Sequence, residues 1–320
     1  MSALLNHAGT IPPHLRLLAA QCDSDQEAAA RWQAWRDSVD IEHLTWPELQ
    51  ILPILNGPRM EEWLADDPAG GVLKGIVRRA WSEAQVRLGL AREAANCLKQ
   101  AGCGSVTMIG AVGSNLRSLG STAIRPILEL RMLVSRHDLA LAGAALEAEG
   151  WQPRDRIPTG DWLDRMTYVL YNRNGTRLYL HWRVLQVDAR RVAACEREFL
   201  SEQQVVEAIG TEFRILSRGQ ALLEALTERT DTMDALAWQA DAALLCREPI
   251  DWARWSTLAT RYQPRAFERL PELRAMGLDV PELRAPSAWV ALLSPGEFLN
   301  IWRQAARGWA RRISASVGRV

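Results

Sequence analysis

The chain has 320 residues, 48% of them hydrophobic and 24% charged, a length and composition that exclude disorder and allow a sizeable core. Its 38 basic and 38 acidic residues balance, which removes any global field toward nucleic acid or an anionic membrane surface. Five cysteines, Cys22, Cys97, Cys103, Cys195 and Cys246, are scattered and never spaced as CxxC, which argues against a disulfide framework and a structural zinc site and points to a reducing cytoplasm.

The first residues, MSALLNHAGTIPPH, have no basic start, and Pro12, Pro13 and His14 interrupt what would otherwise be an apolar signal core. No run of 18 apolar residues occurs anywhere, so no transmembrane segment is expected. From 14 to about 66 the sequence reads as short helices, HLRLLAAQC, DQEAAARWQAWRDSV and WPELQILPIL, punctuated by Pro47, Pro53 and Pro58. A proline-free stretch from Gly71 to Gln100 carries Val72, Ile76, Ala80, Val86, Leu90, Ala94 and Cys97 on a helical period, and predicts the longest helix, closed by Gly102. Fourteen tryptophans against four phenylalanines and four tyrosines suit helix-packing cores that reach the surface.

The period then shortens. SVTMIGAV (105–112), PILELRMLV (126–134), RMTYVLYNR, TRLYLHWRVL and EFRILS (212–217) read as strands, with Asn174-Gly175 supplying a tight hairpin turn between the third and fourth. HDLALAGAALEAEG between them reads as a helix, with Asp138 near its start and Gly150 at its end. From Arg218 the pattern returns to helix in RGQALLEALTERT, TMDALAWQADAALLCRE, DWARWSTLATRY and PGEFLNIWRQAARGWARRISA. The predicted fold is α+β: an N-terminal helical region (1–102), a core with a small mixed sheet (103–217) and a C-terminal helical region (218–320).

The order of MIGAVGSNL, IRPILELRMLVSRHDLALAGAALEAEGW, RLYLHWRVL, ALAWQADAALL and DWARWSTLA resembles the bacterial nucleotidyltransferase-like family of the polymerase-beta superfold, over roughly 14 to 262. The resemblance implies a Lys-Gly pair after the first core strand, an Arg-Pro-x-x-Asp-x-Asp strand that binds metal, a Glu-Leu-His-Trp strand, then helices with Trp-x-x-Asp and Asp-Trp. Here the lysine falls on Ile109 and the glycine is kept as Gly110. Arg125-Pro126 is kept, the two aspartates fall on Glu129 and Arg131, and the glutamate falls on Tyr179 before Leu180, His181 and Trp182.

These losses bear on chemistry. Two-metal phosphoryl transfer uses carboxylates two residues apart on a strand, because that spacing puts both on one face. Magnesium takes hard oxygen ligands, and Glu129 supplies at most one arm. Arg131 places a fixed positive charge where the second acid belongs, able to pair near Glu129 or with a phosphate. Gly113-Ser114, together with Gly110, resembles the Gly-Ser turn that opens a phosphate-binding helix, whose N–H groups can hold a phosphate without metal; the alternative is that these glycines let strand and helix pack closely.

Other candidates carry less. His181 shares a strand face with Tyr179 and Arg183, lining the cleft, but the sequence places no acidic or cysteine partner for it. His7, His14, His43 and His137 have no metal-ligand spacing, and neither GxSxG nor GxxxxGK[ST] occurs. The segment 301–320 carries Arg303, Arg307, Arg311, Arg312 and Arg319 without an acid, and reads as a basic helix able to touch a partner or membrane surface, or to cap the fold.

The expected function is therefore a cytoplasmic, catalytically degenerate nucleotidyltransferase-like protein that binds a small molecule, a nucleotide or a protein or peptide partner, without general nucleic-acid binding and with no cofactor. The resemblance implies an accessory role in a biosynthetic pathway. One alternative is an active enzyme transferring a nucleoside monophosphate from NTP, with Mg2+ held by Glu129 and acids such as Glu147, Asp161 or Asp164, and the triphosphate by Arg131 and Arg125. A second is a structural protein–protein interaction subunit.

Overall fold

The computed structural model describes residues 11–118, 121–163, 165–227 and 237–285. The chain divides into a compact unit ending at Glu282 and a second unit, Leu283–Val320. The expected basic helix over 301–320, and Asp164, lie outside the described residues. The expected junctions near 102 and 217 fall between elements inside the first unit.

That unit begins with four short helices, α1 (Pro13–Leu18), α2 (Asp25–Arg36), α3 (Trp46–Leu55) and α4 (Pro58–Trp63). Their starts are written in the sequence. Ser24 with Glu27 opens α2 and Thr45 with Glu48 opens α3 as capping boxes, each satisfying helix N–H groups that have no partner within the helix. Prolines stand in the first turns of α1, α3 and α4, where their missing N–H is not needed. Trp32 and Trp35 are buried, and Trp32 stacks on Trp63 at 5.1 Å.

Helix α5 (Gly70–Gln100) is 31 residues long, and in its second half Leu88, Ala91, Ala95 and Leu98 form a stripe buried against the sheet. Its end is set by Gly102 at φ +95°, where the Gly102 N–H bonds the Lys99 carbonyl and the Cys103 N–H bonds the Leu98 carbonyl, both at 3.0 Å. This is the reciprocal pattern of a Schellman cap, which needs a left-handed residue just past the helix.

The chain then builds β1 (Val106–Met108), α6 (Gly110–Arg117), β2 (Leu130–Val134), α7 (Leu139–Ala148), β3 (Gln152–Pro153), β4 (Tyr168–Arg173), β5 (Thr176–His181), α8 (Val192–Ser201), β6 (Gln204–Ala208) and β7 (Thr211–Ile215). The result is a seven-stranded mixed sheet in the order β3-β4-β5-β2-β1-β7-β6. β2 lies at its centre, parallel to β5 and antiparallel to β1, while β1 runs parallel to β7. Asn174 (φ 51°) and Gly175 (φ 78°) make the expected tight turn between β4 and β5.

Strand alternation gives the sheet two unlike faces. Val106 and Met108, Leu130, Met132 and Val134, Val169 and Tyr171, Leu178 and Leu180 enter one core with α5 and with Leu139, Ala142 and Leu146 of α7. Residues at the alternate positions take the other face. Helices α9 (Arg218–Thr227), α10 (Ala237–Leu245), α11 (Trp252–Tyr262) and α12 (Leu270–Met276) complete the unit, with α9 and α10 packed together and both against α6.

Three differences from the sequence reading have physical causes. The predicted strand 105–112 is cut after Met108, because Gly110 takes φ +61° and turns the chain into α6. β6 pairs with β7 through a turn that holds Ile209 at φ 52°, a β-branched residue where a turn signal calls for glycine or asparagine, so the hairpin is hidden from pattern reading. β3 has only two residues and no alternation to read.

Replacing Gly102 with alanine should cost about 1–2 kcal/mol, the cost of forcing a side chain into the left-handed region, measured as a lower urea midpoint with unchanged slope.

Candidate functional site

The resemblance-derived residues come together where β2, β5 and the start of α6 meet. Glu129 lies in the bend immediately before β2, and Arg131 on that strand faces away from the core, opposite Tyr179 of β5 in the parallel register. Arg131 donates to Glu129 Oε1 from Nε at 2.7 Å and from Nη2 at 2.5 Å, and its Nη1 stands 3.6 Å from Glu224 Oε1 on α9. All three side chains are about one-tenth exposed, at 11%, 11% and 10%. The sequence-level option that Arg131 pairs near Glu129 is the one the structure adopts.

Gly110 allows this arrangement. A Cβ on Gly110 would lie 3.1 Å from Arg131 Cδ and 3.7 Å from its Nε, so the arginine stem lies directly against the first turn of α6. The helix begins at Gly110, with Ile109 as N-cap, so Gly113 and Ser114 stand in its second turn rather than at its start. Gly113 is pressed against the strand, its hypothetical Cβ 2.9 Å from the Met108 carbonyl oxygen. Ser114 is buried and donates from Oγ to Asp241 Oδ1 of α10 at 2.8 Å. The space lined by Gly110, Gly113, Ser114, Glu224 and Asp241 is about 10 Å³, room for one water at most.

Arg125 belongs to a second, deeper contact. Its backbone N–H donates to Asn115 Oδ1 at 3.0 Å, and its carbonyl accepts from Asn115 Nδ2 at 2.7 Å, so one α6 side chain satisfies both main-chain groups. Its guanidinium Nε lies 3.3 Å from Asp241 Oδ1, with side chains 1% and 7% exposed. Asp241 thus joins α10 to both α6 and the loop before β2. It is the acid of the Trp238-x-x-Asp241 spacing, which was the available sequence signal; Glu224 had none beyond lying on a predicted helix.

On the same sheet face, Tyr168, Tyr179 and His181 form a ring cluster, Tyr168 lying edge-on to Tyr179 at 5.0 Å and 5.2 Å from His181. Tyr168 is 40% exposed and marks the open side of this face. Burial raises the Tyr179 phenol pKa, the Glu129 carboxylate adds to the rise, and Arg177 opposes it, so Tyr179 stays a neutral phenol. Burial and then the Arg131 charge push His181 down to about 3, with the Arg183 backbone working weakly against them. Neither ring nitrogen of His181 has a well-formed hydrogen bond.

The donor set does not fit a divalent metal. Glu129 Oε1 already accepts two arginine N–H groups, the strand position two residues on is a cation, and Tyr179 stands across from it in place of an acid. Among the described residues no group of three or more His, Cys, Asp or Glu could hold a metal ion. Glu147 does not join Glu129 in such a group, and the Asp161 side chain and Asp164 lie outside what the structure describes.

A mixed sheet whose central strand carries Arg131 and is entered from the Arg125-Pro126-x-x-Glu129 loop, with a short helix opening on glycine beside it, is a nucleotidyltransferase-like fold. A family model described as uncharacterised nucleotidyltransferase matches residues 70–270, and the chain belongs to that family. Among solved structures the chain is similar to the solution structure of the antibiotic-resistance factor ANT(2'')-Ia, at 11% identity and a TM-score of 0.41, covering 59% of this chain and 96% of that one. No curated protein matches it. Among the described residues no helix is long and apolar enough to cross a membrane.

Two outcomes follow from the buried charges. Asp241→Ala, which removes the carboxylate beside the buried Arg125 guanidinium and the acceptor of the Ser114 hydroxyl, should lower stability by about 3–5 kcal/mol in urea unfolding. His181 titrates near 6.5 when unfolded and near 3 when folded, so below about 6.5 the unfolded chain takes up a proton that the native state refuses. Its contribution is therefore neutral at higher pH and destabilising as pH falls. From about pH 7 to about pH 5 the wild type should lose about 2 kcal/mol more than His181→Gln.

Proposed function

We propose that this chain is a catalytically silent member of its family, working as a binding or accessory module in a biosynthetic pathway and using the former catalytic face for recognition. One observation carries the reading: Arg131 occupies the strand position where a second carboxylate would be needed, and it binds Glu129 through two hydrogen bonds at 2.7 and 2.5 Å. Phosphoryl transfer gains most of its rate from metal and charge placement on the phosphates, so a site whose acid before the central strand is paired with an arginine lacks the required electrostatics.

The recognition chemistry follows from what the face presents. Tyr168 and Tyr179 offer aromatic edges and faces, neutral His181 adds ring surface, and the polar centre is an arginine already paired with carboxylates. Such a surface suits a small molecule with a flat apolar portion better than a triphosphate. The start of α6, with about 10 Å³ of space, needs to open before it takes a phosphate group.

Calorimetric titration with each of the four nucleoside triphosphates, with Mg2+ and again with chelator, tests this. The expected result is no magnesium-dependent binding. Saturable heat that requires Mg2+ and disappears in Glu129→Ala would overturn the proposal in favour of an active enzyme with a rebuilt site.

A further inference from the structure

We infer that Arg131 is a built-in cation that holds the Glu129 and Glu224 carboxylates together in the place of a divalent metal ion, so that removing the guanidinium while keeping the acids creates a metal site in this chain. The inference rests on the reading of the cleft as metal-independent, and concerns what holds its acids rather than what it binds.

Three observations converge. Glu129 and Glu224 come from a bend before β2 and from α9, more than ninety positions apart in the chain, yet both direct carboxylates at one guanidinium from sites that are 11% and 10% exposed. Bringing two carboxylates into one poorly hydrated place costs free energy unless a cation stands between them. Here the cation is a side chain at the strand position two after Glu129, on the face that also carries Tyr179.

The second observation is where that cation sits. Its stem lies within 3.1 Å of the position a Cβ would take on Gly110, at the first turn of α6. A helix N-terminus carries partial positive charge and favours anions, by about 0.3–1 kcal/mol for a neighbouring charge, so it does not attract a guanidinium. The local backbone argues against a cation here and the two acids argue for one. The third observation is the glycine itself: at φ +61° Gly110 leaves out the Cβ that would crowd Arg131, so the turn is shaped to admit the arginine stem.

A guanidinium and a divalent ion both screen two carboxylates, but they differ in consequence. The arginine is always charged, is tethered, and cannot be lost to a chelator or exchanged. Its five donors are directional, and two of them are fixed on one oxygen of Glu129. A metal ion would need oxygens on several sides. Arg131→Asp supplies such an oxygen at period-two spacing from Glu129, and Arg131→Gln removes the charge while leaving both acids.

The test measures Mn2+ binding by calorimetry and the Mn2+ dependence of Tm, without nucleotide, for wild type, Arg131→Lys, Arg131→Gln, Arg131→Asp and Arg131→Asp combined with Glu129→Gln. Wild type and Arg131→Lys should be indifferent to Mn2+. Arg131→Asp should bind one Mn2+ at least about tenfold more tightly than wild type and gain several degrees in Tm, a tenfold change being worth about 1.4 kcal/mol. Arg131→Gln should gain a smaller shift, and adding Glu129→Gln should erase the effect. If Arg131→Asp is unfolded without metal, the inference requires Mn2+ to restore its circular dichroism. Folded Arg131→Asp and Arg131→Gln that both ignore Mn2+, an unfolded Arg131→Asp that Mn2+ does not rescue, or wild type that itself binds Mn2+ through Glu129, would each overturn it. Because no nucleotide is present, this outcome is separate from that of the triphosphate titration.

Discussion

Everything in this molecule turns on the central position of β2. It pairs with β5 on one side and β1 on the other, so its backbone is fully committed, and its alternation is fixed by Leu130, Met132 and Val134 entering the core. A slip of one residue would send those three side chains to the outer face and bring Arg131 into an apolar core, an error of many kcal/mol. The register is therefore not negotiable, and it dictates that whatever stands at 131 projects beside Tyr179, over the first turn of α6. Chemistry at this site is a matter of which side chain the sequence puts at a position the fold has already aimed.

Given that aim, an arginine has different requirements from an acid. A carboxylate at 131 would stand near the positive end of α6 and beside Glu129, needing a cation. A guanidinium reverses the problem and needs carboxylates, which Glu129 and Glu224 supply. Glu224 is on α9, so the exchange of charge at one strand position also ties a C-terminal helix to the sheet. Arg125 and Asp241 repeat the pattern one layer deeper, joining the loop before β2 to α10, while Ser114 adds α6 to the same acid. Buried pairs of this kind add little net stability over a well-packed apolar alternative, but breaking one partner is costly. Here they tie α9, α10 and α6 to the central strand and to the loop before it.

The sequence made most of this fold legible. Helix α5 announced itself by its apolar period and the glycine after it, and β2, β4 and β5 by their apolar runs and the Asn174-Gly175 turn. What stayed hidden was local geometry that overrides pattern. Ile109 and Val112 look like strand residues, yet Gly110 at a positive φ starts a helix between them. Ile209 occupies a left-handed turn position that pattern rules assign to glycine, so β6 carried no signature. Helix α8 was missed in the sequence as well, although Val192, Cys195 and Phe199 stand at helical spacing. At the site, Arg131 and Tyr179 were legible as departures from the acids that the resemblance implies. Glu224 was not, because no spacing within a helix says which distant strand it will meet.

The position of His181 shows how far the influence of Arg131 reaches. Its ring nitrogens are buried without well-formed hydrogen bonds, and its pKa is held near 3 by burial and by Arg131. A histidine beside a cluster of carboxylates would be pulled the other way, toward protonation. Burial is the larger cause and Arg131 adds to it, so a residue on β2 influences the charge state of one on β5, leaving a neutral His181 imidazole beside the neutral Tyr179 phenol. A histidine held neutral in this way does not take up a proton near neutral pH. What the face presents is ring surface from Tyr168, Tyr179 and His181 beside a guanidinium paired with two carboxylates, and the proposed recognition role rests on that chemistry.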